Sequence, residues 1–400
     1  MTAIDRLLAD PAVSGARRIL HDTDARTLAD QLELVQIPAP AFGEAERGRR
    51  MAELFREAGL TAVSVDEVGN VLARLEPAAE PDAPPCLISA HLDTIFPEGT
   101  DVTVKRDGAR YCAPGIADDA RGLAALVAIA RALTTAGVRT RAPLVFVATV
   151  GEEGIGDLRG VKHLFCDGSP WRRAAAFISL DGTGCRRIVH RAVGSRRFRI
   201  RVTGVGGHSW ADWGIANPIH ALGLAIAELA SLPVPREPRS ALTVARIAGG
   251  TSINAIPEEA WLELDLRSEG VAALEALERG ARSALRRAVQ ACNARRRRGT
   301  PPLSVSVDVI GDRPSGQTPA ASAIVRAAIE ATRAIGHSPE LVASSTDANV
   351  PIALGIPAIT LGAGGESGGT HTLEEWYSNE SGPEGIERAL LTALALAGLG

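Results

Sequence analysis

Leu144-Val-Phe-Val-Ala-Thr-Val150 is an unbroken apolar run, rich in β-branched side chains, that ends on Gly151-Glu152-Glu153. A strand with one wet face alternates apolar and polar residues. An unbroken run suits a strand covered on both faces, as in the parallel sheets of α/β domains. Two further runs have the same form. Cys86-Leu-Ile-Ser-Ala leads into His91-Leu92-Asp93, and Ala176-Phe-Ile-Ser-Leu180 leads into Asp181. Between them, residues 122–133 are apolar nearly all round, which predicts a helix buried against the sheet. Strands alternating with helices in this way predict an α/β domain with a mostly parallel central sheet.

Further out, residues 24–60 carry helical spacing through Leu28, Leu32, Leu34, Met51, Leu54 and Phe55. Residues 70–75 read as a strand, and the Pro/Ala/Glu-rich segment 75–85 as a loop. The texture changes near Arg191. Phe198-Arg-Ile-Arg-Val-Thr alternates apolar and charged residues, as a strand with one wet face does. A helix over 217–230, strands over 242–247 and 260–267, a long helix over 271–292 and a strand over 303–310 complete a β-α-β-β-α-β order, the ferredoxin-like one. Gly311-Asp-Arg-Pro314 reads as a turn-rich junction. A helix over 322–335, a strand over 358–361 and a helix opened by Pro383 then return to the first texture. The expected organisation is one α/β domain over 1–190 and 312–400, with an α+β domain inserted at 191–311.

With 46% apolar and 22% charged residues and a net charge of −4, the composition is that of a globular protein with no footprint for nucleic acid or an anionic membrane. The run Arg295 to Arg298 follows a predicted helix and reads as a solvated helix end. The five cysteines do not pair at zinc-ribbon spacing, which points to free thiols in a reducing compartment. The amino terminus has no apolar core of a signal peptide, and no stretch is long enough to span a bilayer, so the expected location is the cytoplasm.

The chemistry-bearing residues stand where the apolar runs stop. His91, Asp93, Glu152, Glu153 and Asp181 follow predicted strands, Asp118 precedes the buried helix, and His371 closes the glycine-rich loop 362–371. Ligands of α/β sheets bind beyond the carboxyl ends of the strands. Two imidazoles and several carboxylates make a nitrogen and oxygen shell suited to zinc-class ions. Asp93 can accept the second ring N–H of His91, or serve as a turn or cap residue. Asp118 and Asp119 divide ligand and helix-cap roles, with Asp119 the better cap. Of the adjacent Glu152 and Glu153, one can ligate metal while the other faces water; alone, the pair would equally suit an exposed loop.

Together these residues resemble the co-catalytic dinuclear zinc metallopeptidase family of peptidase T, glutamate carboxypeptidase, the aminoacylases, acetylornithine deacetylase and succinyl-diaminopimelate desuccinylase. The resemblance runs from about residue 30 to 380. It rests on Ser-Ala-His91-Leu-Asp93-Thr, Gly-Ile-Ala-Asp118-Asp, Gly-Glu152-Glu153-Gly, Leu-Asp181-Gly and Thr370-His371-Thr-Leu-Glu-Glu375-Trp, with Gly206-Gly-His208-Ser and Gly250-Thr-Ser-Ile-Asn254 in the inserted domain. It implies a zinc-peptidase-like catalytic domain and a lid or dimerisation domain. It further implies two zinc ions per chain, with cobalt or manganese as substitutes. His91 and Asp181 would hold one ion, Glu153 and His371 the other, and Asp118 would bridge them. Glu152 would be the general base, Asp93 would orient His91, and His208 would stabilise the oxyanion, in its own chain or across a homodimer. Asn254 and Arg267 would hold a small peptide or N-acyl amino acid. Asp at 181, and the Asp118–Asp119 pair, are nearest in motif to peptidase T-like members. That favours an aminopeptidase, dipeptidase or tripeptidase over an N-acyl-amino-acid deacylase or carboxypeptidase. A binding protein without catalysis would have lost the base or a ligand, and all these positions are filled. Trp210 and Trp213 fit the family pattern least.

Overall fold

The computed structural model describes residues 2–400, which divide into two compact units. One runs to Ala192 and resumes at Gln317 to Gly400; the other is Val193–Gly316.

In the first unit a large mixed sheet has the order Thr61–Val65, Val71–Leu75, Leu144–Thr149, Cys86–His91, Ala176–Leu180, Ala358–Leu361, Arg187–Ala192, and Glu340–Ser344 pairs with the last of these. The strands 144–149, 86–91, 176–180 and 358–361 run parallel to one another. Val71–Leu75 and Arg187–Ala192 join this centre antiparallel, and Glu340–Ser344 runs parallel to Arg187–Ala192. All residues of the three apolar runs read from the sequence are buried. Successive side chains leave a strand on opposite faces. Ile88, Ala90, Phe146 and Ile178 accordingly meet the Ala120–Thr135 and Gly382–Ala397 helices on one side. Leu87, Val145, Val147 and Phe177 meet Leu158, Val161, Leu164 and Val350 on the other. Each large side chain so buried contributes about 1.5–3 kcal/mol of transfer free energy.

Two amino-terminal helices, Ala3–Ala9 and Pro11–Asp22, extend this unit beyond the expected elements. Thr2 and Asp5 close a capping box at the first, and Asp10 caps the second ahead of a proline in its first turn.

The second unit is a four-stranded antiparallel sheet in the order Ser240–Gly249, Glu259–Ser268, Gly194–Thr203, Ser304–Arg313. In chain order this is 2-3-1-4, the ferredoxin-like arrangement. Helices Pro218–Ala230 and Val271–Ala294 cover one face through Phe198, Ile200, Val202, Leu262, Leu264 and Leu266. The intervening arginines of Gly194–Thr203 pair across the open face, Arg199 with Glu263 and Arg201 with Glu259. That pairing is the physical content of the alternation read at 198–203. The segment Gly311–Arg313, read as a junction, is strand: it pairs with 195–197 after a bulge, because backbone pairing continues where the side chains turn polar. All five cysteines are free. Among the described residues no helix is long and apolar enough to cross a membrane.

Candidate active site

The parallel strands end side by side, His91 beside Thr149, Ser89 beside Ser179 and Leu180 beside Leu361. Residues that follow them emerge at one edge, which brings Asp93, Glu152, Glu153 and Asp181 together. Asp118 arrives from the turn before the Ala120–Thr135 helix, and His371 from the loop after Ala358–Leu361. The Asp118 carboxylate lies between two imidazoles: Oδ1 is 2.9 Å from His91 Nε2 and Oδ2 is 3.1 Å from His371 Nε2. Glu153 Oε1 is 2.8 Å from the same nitrogen of His371. His91, Asp118 and Glu153 offer donor atoms that all lie within 4.8 Å of one another. His371 has a φ of 67°. A side chain held in the left-handed region costs of order 1–3 kcal/mol and is kept where the surroundings fix it.

Buried groups behind these side chains set their positions. The Asp93 carboxylate accepts the N–H groups of Glu152 at 2.9 Å and Glu153 at 2.8 Å. His91 Nδ1 is 3.0 Å from the Asp93 carbonyl oxygen and 3.6 Å from its carboxylate. The nearer partner of the ring is thus the main chain, because the carboxylate is committed to the two glutamate amides. Asp93 aligns both strand ends at once. Asp119 is the cap of the helix, accepting from Gly122, and also accepts from the His91 and Gly182 amides. The fully buried Arg47, a residue with no signal in the sequence beyond its helical position, donates to the carbonyls of Ile37 and Leu92.

The charges are out of balance in a way that suits a cation. Burial raises the carboxyl of Asp181, and the charges of Asp118, Asp119 and Glu152 raise it further. Burial likewise raises Asp119. Hydrogen bonds to Asp118 and Glu153 raise the His371 imidazole to about 10, against a smaller effect of burial. Burial opposes ionisation of Asp118, but the bonds from His371 and His91 overcome it and hold its carboxyl low. A buried carboxylate cluster faced by two imidazoles therefore carries more negative charge than its own residues neutralise, and its nitrogen and oxygen donors are those zinc-class ions take. The residues present fit such ions.

The model of peptidase family M20/M25/M40 matches residues 87–395, which include every strand end and loop of this site. The chain belongs to that family. Succinyl-diaminopimelate desuccinylase of Corynebacterium glutamicum is 26% identical over 241 residues, 58% of this chain and 64% of that protein. The match thus spans under two thirds of that relative's length. Among solved structures, an aminopeptidase PepT from Bacillus cereus superposes with a TM-score of 0.74 at 24% identity, covering 94% of this chain and 99% of that one. A tripeptidase from Staphylococcus aureus superposes with a TM-score of 0.76 at 22% identity, covering 93% and 98%. These likenesses show that the M20-type fold extends over both units.

The remaining predicted residues of this M20 family member lie in the second unit. His208 and Asn254 are adjacent: Gly207–His208 pairs with Ala255–Ile256, and the Ser209 amide donates to the Asn254 carbonyl at 2.9 Å. Both side chains are exposed. His208 Nδ1 accepts the Trp210 amide at 3.2 Å. Trp210 and Trp213 are 87% and 75% exposed, so they do not pack this unit's core. Arg267 is not beside them. Its strand pairs Glu259 with Thr203 and Arg267 with Ser195, so eight residues separate the two ends, roughly 26 Å at 3.3 Å per residue. Arg267 Nε donates to Asp265 at 2.8 Å.

Proposed function

We propose that this chain is a metal-dependent hydrolase of amide bonds in short peptides, acting at a free amino terminus. The observation that carries the reading is the Asp118 carboxylate set between His91 and His371, with Glu153 on the second imidazole and Glu152 buried next in sequence. His91 and Asp181 would hold one zinc-class ion, Glu153 and His371 the other, and Asp118 both. Such ions supply Lewis acidity, polarising a carbonyl and acidifying water near neutral pH.

Glu152 takes the proton of the attacking water and returns it to the leaving amine; its backbone amide is held by Asp93. His208 offers an N–H to the developing oxyanion. Asn254 and Arg267 hold the rest of the substrate, Arg267 gripping a carboxylate by its fork of donors. Because His208 pairs with Ala255, just before the strand that carries Arg267 at its far end, a single second unit cannot present both to one small substrate. This supports a homodimer in which His208 serves the partner's site.

The relatedness to a desuccinylase favours a second reading, hydrolysis of an N-acyl amino acid. Asp at 181, rather than Glu, favours the peptidase. Paired libraries of free and N-acetylated di- and tripeptides, analysed by mass spectrometry, separate them. The peptidase reading expects amino-terminal residues to be released from free peptides and acetylated ones to be poor substrates. Faster cleavage of the acetylated set would establish the second reading instead.

A further inference from the structure

Glu375 lies four residues beyond His371 and is completely buried. No lysine or arginine pairs with it among the described residues. Its partners are main-chain amides of another loop. Oε2 accepts the Gly115 N–H at 3.1 Å, and Oε1 accepts those of Ala117 at 2.8 Å and Asp118 at 3.1 Å. The Glu375 carbonyl in turn accepts the Ala113 N–H at 3.1 Å. Short strands bring the two segments alongside, Trp376–Ser378 pairing antiparallel with Arg110–Cys112. Gly115 makes the turn possible with φ at +82°, where a Cβ would meet Thr94 at 2.6 Å.

We propose that Glu375 is a positioning residue that locks the Asp118 turn onto the His371 loop, and so sets the spacing between the shared carboxylate and its second imidazole. One carboxylate is bonded to the amide of the residue that touches both histidines, and belongs to the segment that carries one of them. Asp118 and His371 are 253 residues apart in the chain, and their 3.1 Å approach depends on this clamp. The glutamate suits the task because a carboxylate can accept several N–H groups and offers none of its own. A glutamine there must turn an NH2 group against a backbone N–H or abandon one oxygen's bonds. The inference rests on the metal-binding reading above and adds to it a determinant that touches neither ion.

The test is a zinc titration of the metal-free protein against a chromophoric chelator, with thermal unfolding measured in parallel. Glu375→Gln and Glu375→Asp are compared with Glu387→Gln, which alters a buried carboxylate that pairs with Arg17 and His21 away from the site. Partners behind metal ligands are worth about tenfold to a hundredfold in affinity. Glu375→Gln is expected to weaken zinc binding by that factor, and Glu375→Asp, with its shorter reach, by less. Glu387→Gln is expected to lower the unfolding temperature with zinc affinity unchanged. If Glu375→Gln does not fold, the Asp variant decides. Wild-type affinity in a folded Glu375 variant overturns the clamp. A similar loss in Glu387→Gln overturns it too, since the effect would then follow stability alone. If the wild-type protein binds no zinc, the metal-binding reading fails and the clamp with it; if it binds zinc and the Glu375 variants do so equally well, only the clamp fails.

Discussion

The strand edge of the first unit and the hairpin of the second hold their predicted site residues in opposite settings. At the edge, Asp93, Asp119, Glu152 and Glu153 are buried, and Asp93 and Asp119 each accept several backbone amides. At the hairpin, His208, Asn254 and Trp210 are exposed, and the His208 and Asn254 side chains accept only from neighbours within three residues. A site that must hold charge at fixed spacing needs preorganised, dry neighbours, since reorganising polar groups during a reaction is what preorganisation avoids. Residues that engage substrate from a separate unit gain from the opposite, an open face that closes only on what it binds.

Substitutions should therefore split along the same division. The largest effect is expected from Glu152→Gln, which removes a proton acceptor and no donor to the ions. Turnover should fall by about two to four orders of magnitude with metal content unchanged. Glu153→Gln should show the reverse priority, weaker zinc binding first. Steady-state rates paired with elemental analysis check both, and the opposite pattern would exchange the roles of the two glutamates.

Asp93→Ala comes next. It leaves two buried amides without an acceptor, at about 1–3 kcal/mol each, so chemical denaturation should show a clear loss of stability alongside weaker zinc binding. Unchanged stability would mean that the strand ends are not held by this carboxylate.

His208→Ala should reduce turnover while altering stability by less than about 0.5 kcal/mol, as expected of an exposed residue. Mixing it with Glu152→Gln, once subunit exchange is verified, should restore part of the activity if His208 serves the partner's site. No recovery would place both residues in one chain.

Arg267→Ala should also change stability little. Its half-exposed pair with Asp265 is worth about 0–1 kcal/mol. Its kinetic effect should be selective, a lower kcat/KM for peptides with a free carboxylate and little change for their amides. Equal losses for both would remove Arg267 from carboxylate recognition.

The same contrast explains what could be read from the sequence. The strands 86–91, 144–149 and 176–180 are legible because a strand buried on both faces must be apolar throughout, and the edge residues are legible because they interrupt such runs. Asp119 is legible as a cap because capping is local, acting three residues ahead on Gly122. The helix Ala3–Ala9 is too short for periodicity to settle and is signalled only by its Thr2–Asp5 box, whereas Pro11–Asp22 does carry a signal, Asp10-Pro11 ahead of Val13, Ala16 and Leu20 at helical spacing. The acceptor actually nearest to His91 Nδ1 is a carbonyl, which no residue type announces. Glu375 stands in the motif around His371, but its role is hidden for the same reason: its partners are amides 257 to 260 residues away. The distance between His208 and Arg267 needs the strand register, which side-chain pattern does not fix over ten residues.

If the cluster around Asp118 is a metal centre that drives amide hydrolysis, activity must follow the metal. The direct measurement is to strip the protein with a chelator, return zinc in steps, and follow metal bound per chain together with hydrolysis of an unblocked dipeptide. No activity is expected in the stripped protein, and recovery should saturate at about two zinc ions per chain. Full activity without metal, or binding of zinc with no hydrolysis of either free or N-acylated substrates, would contradict metal-driven hydrolysis.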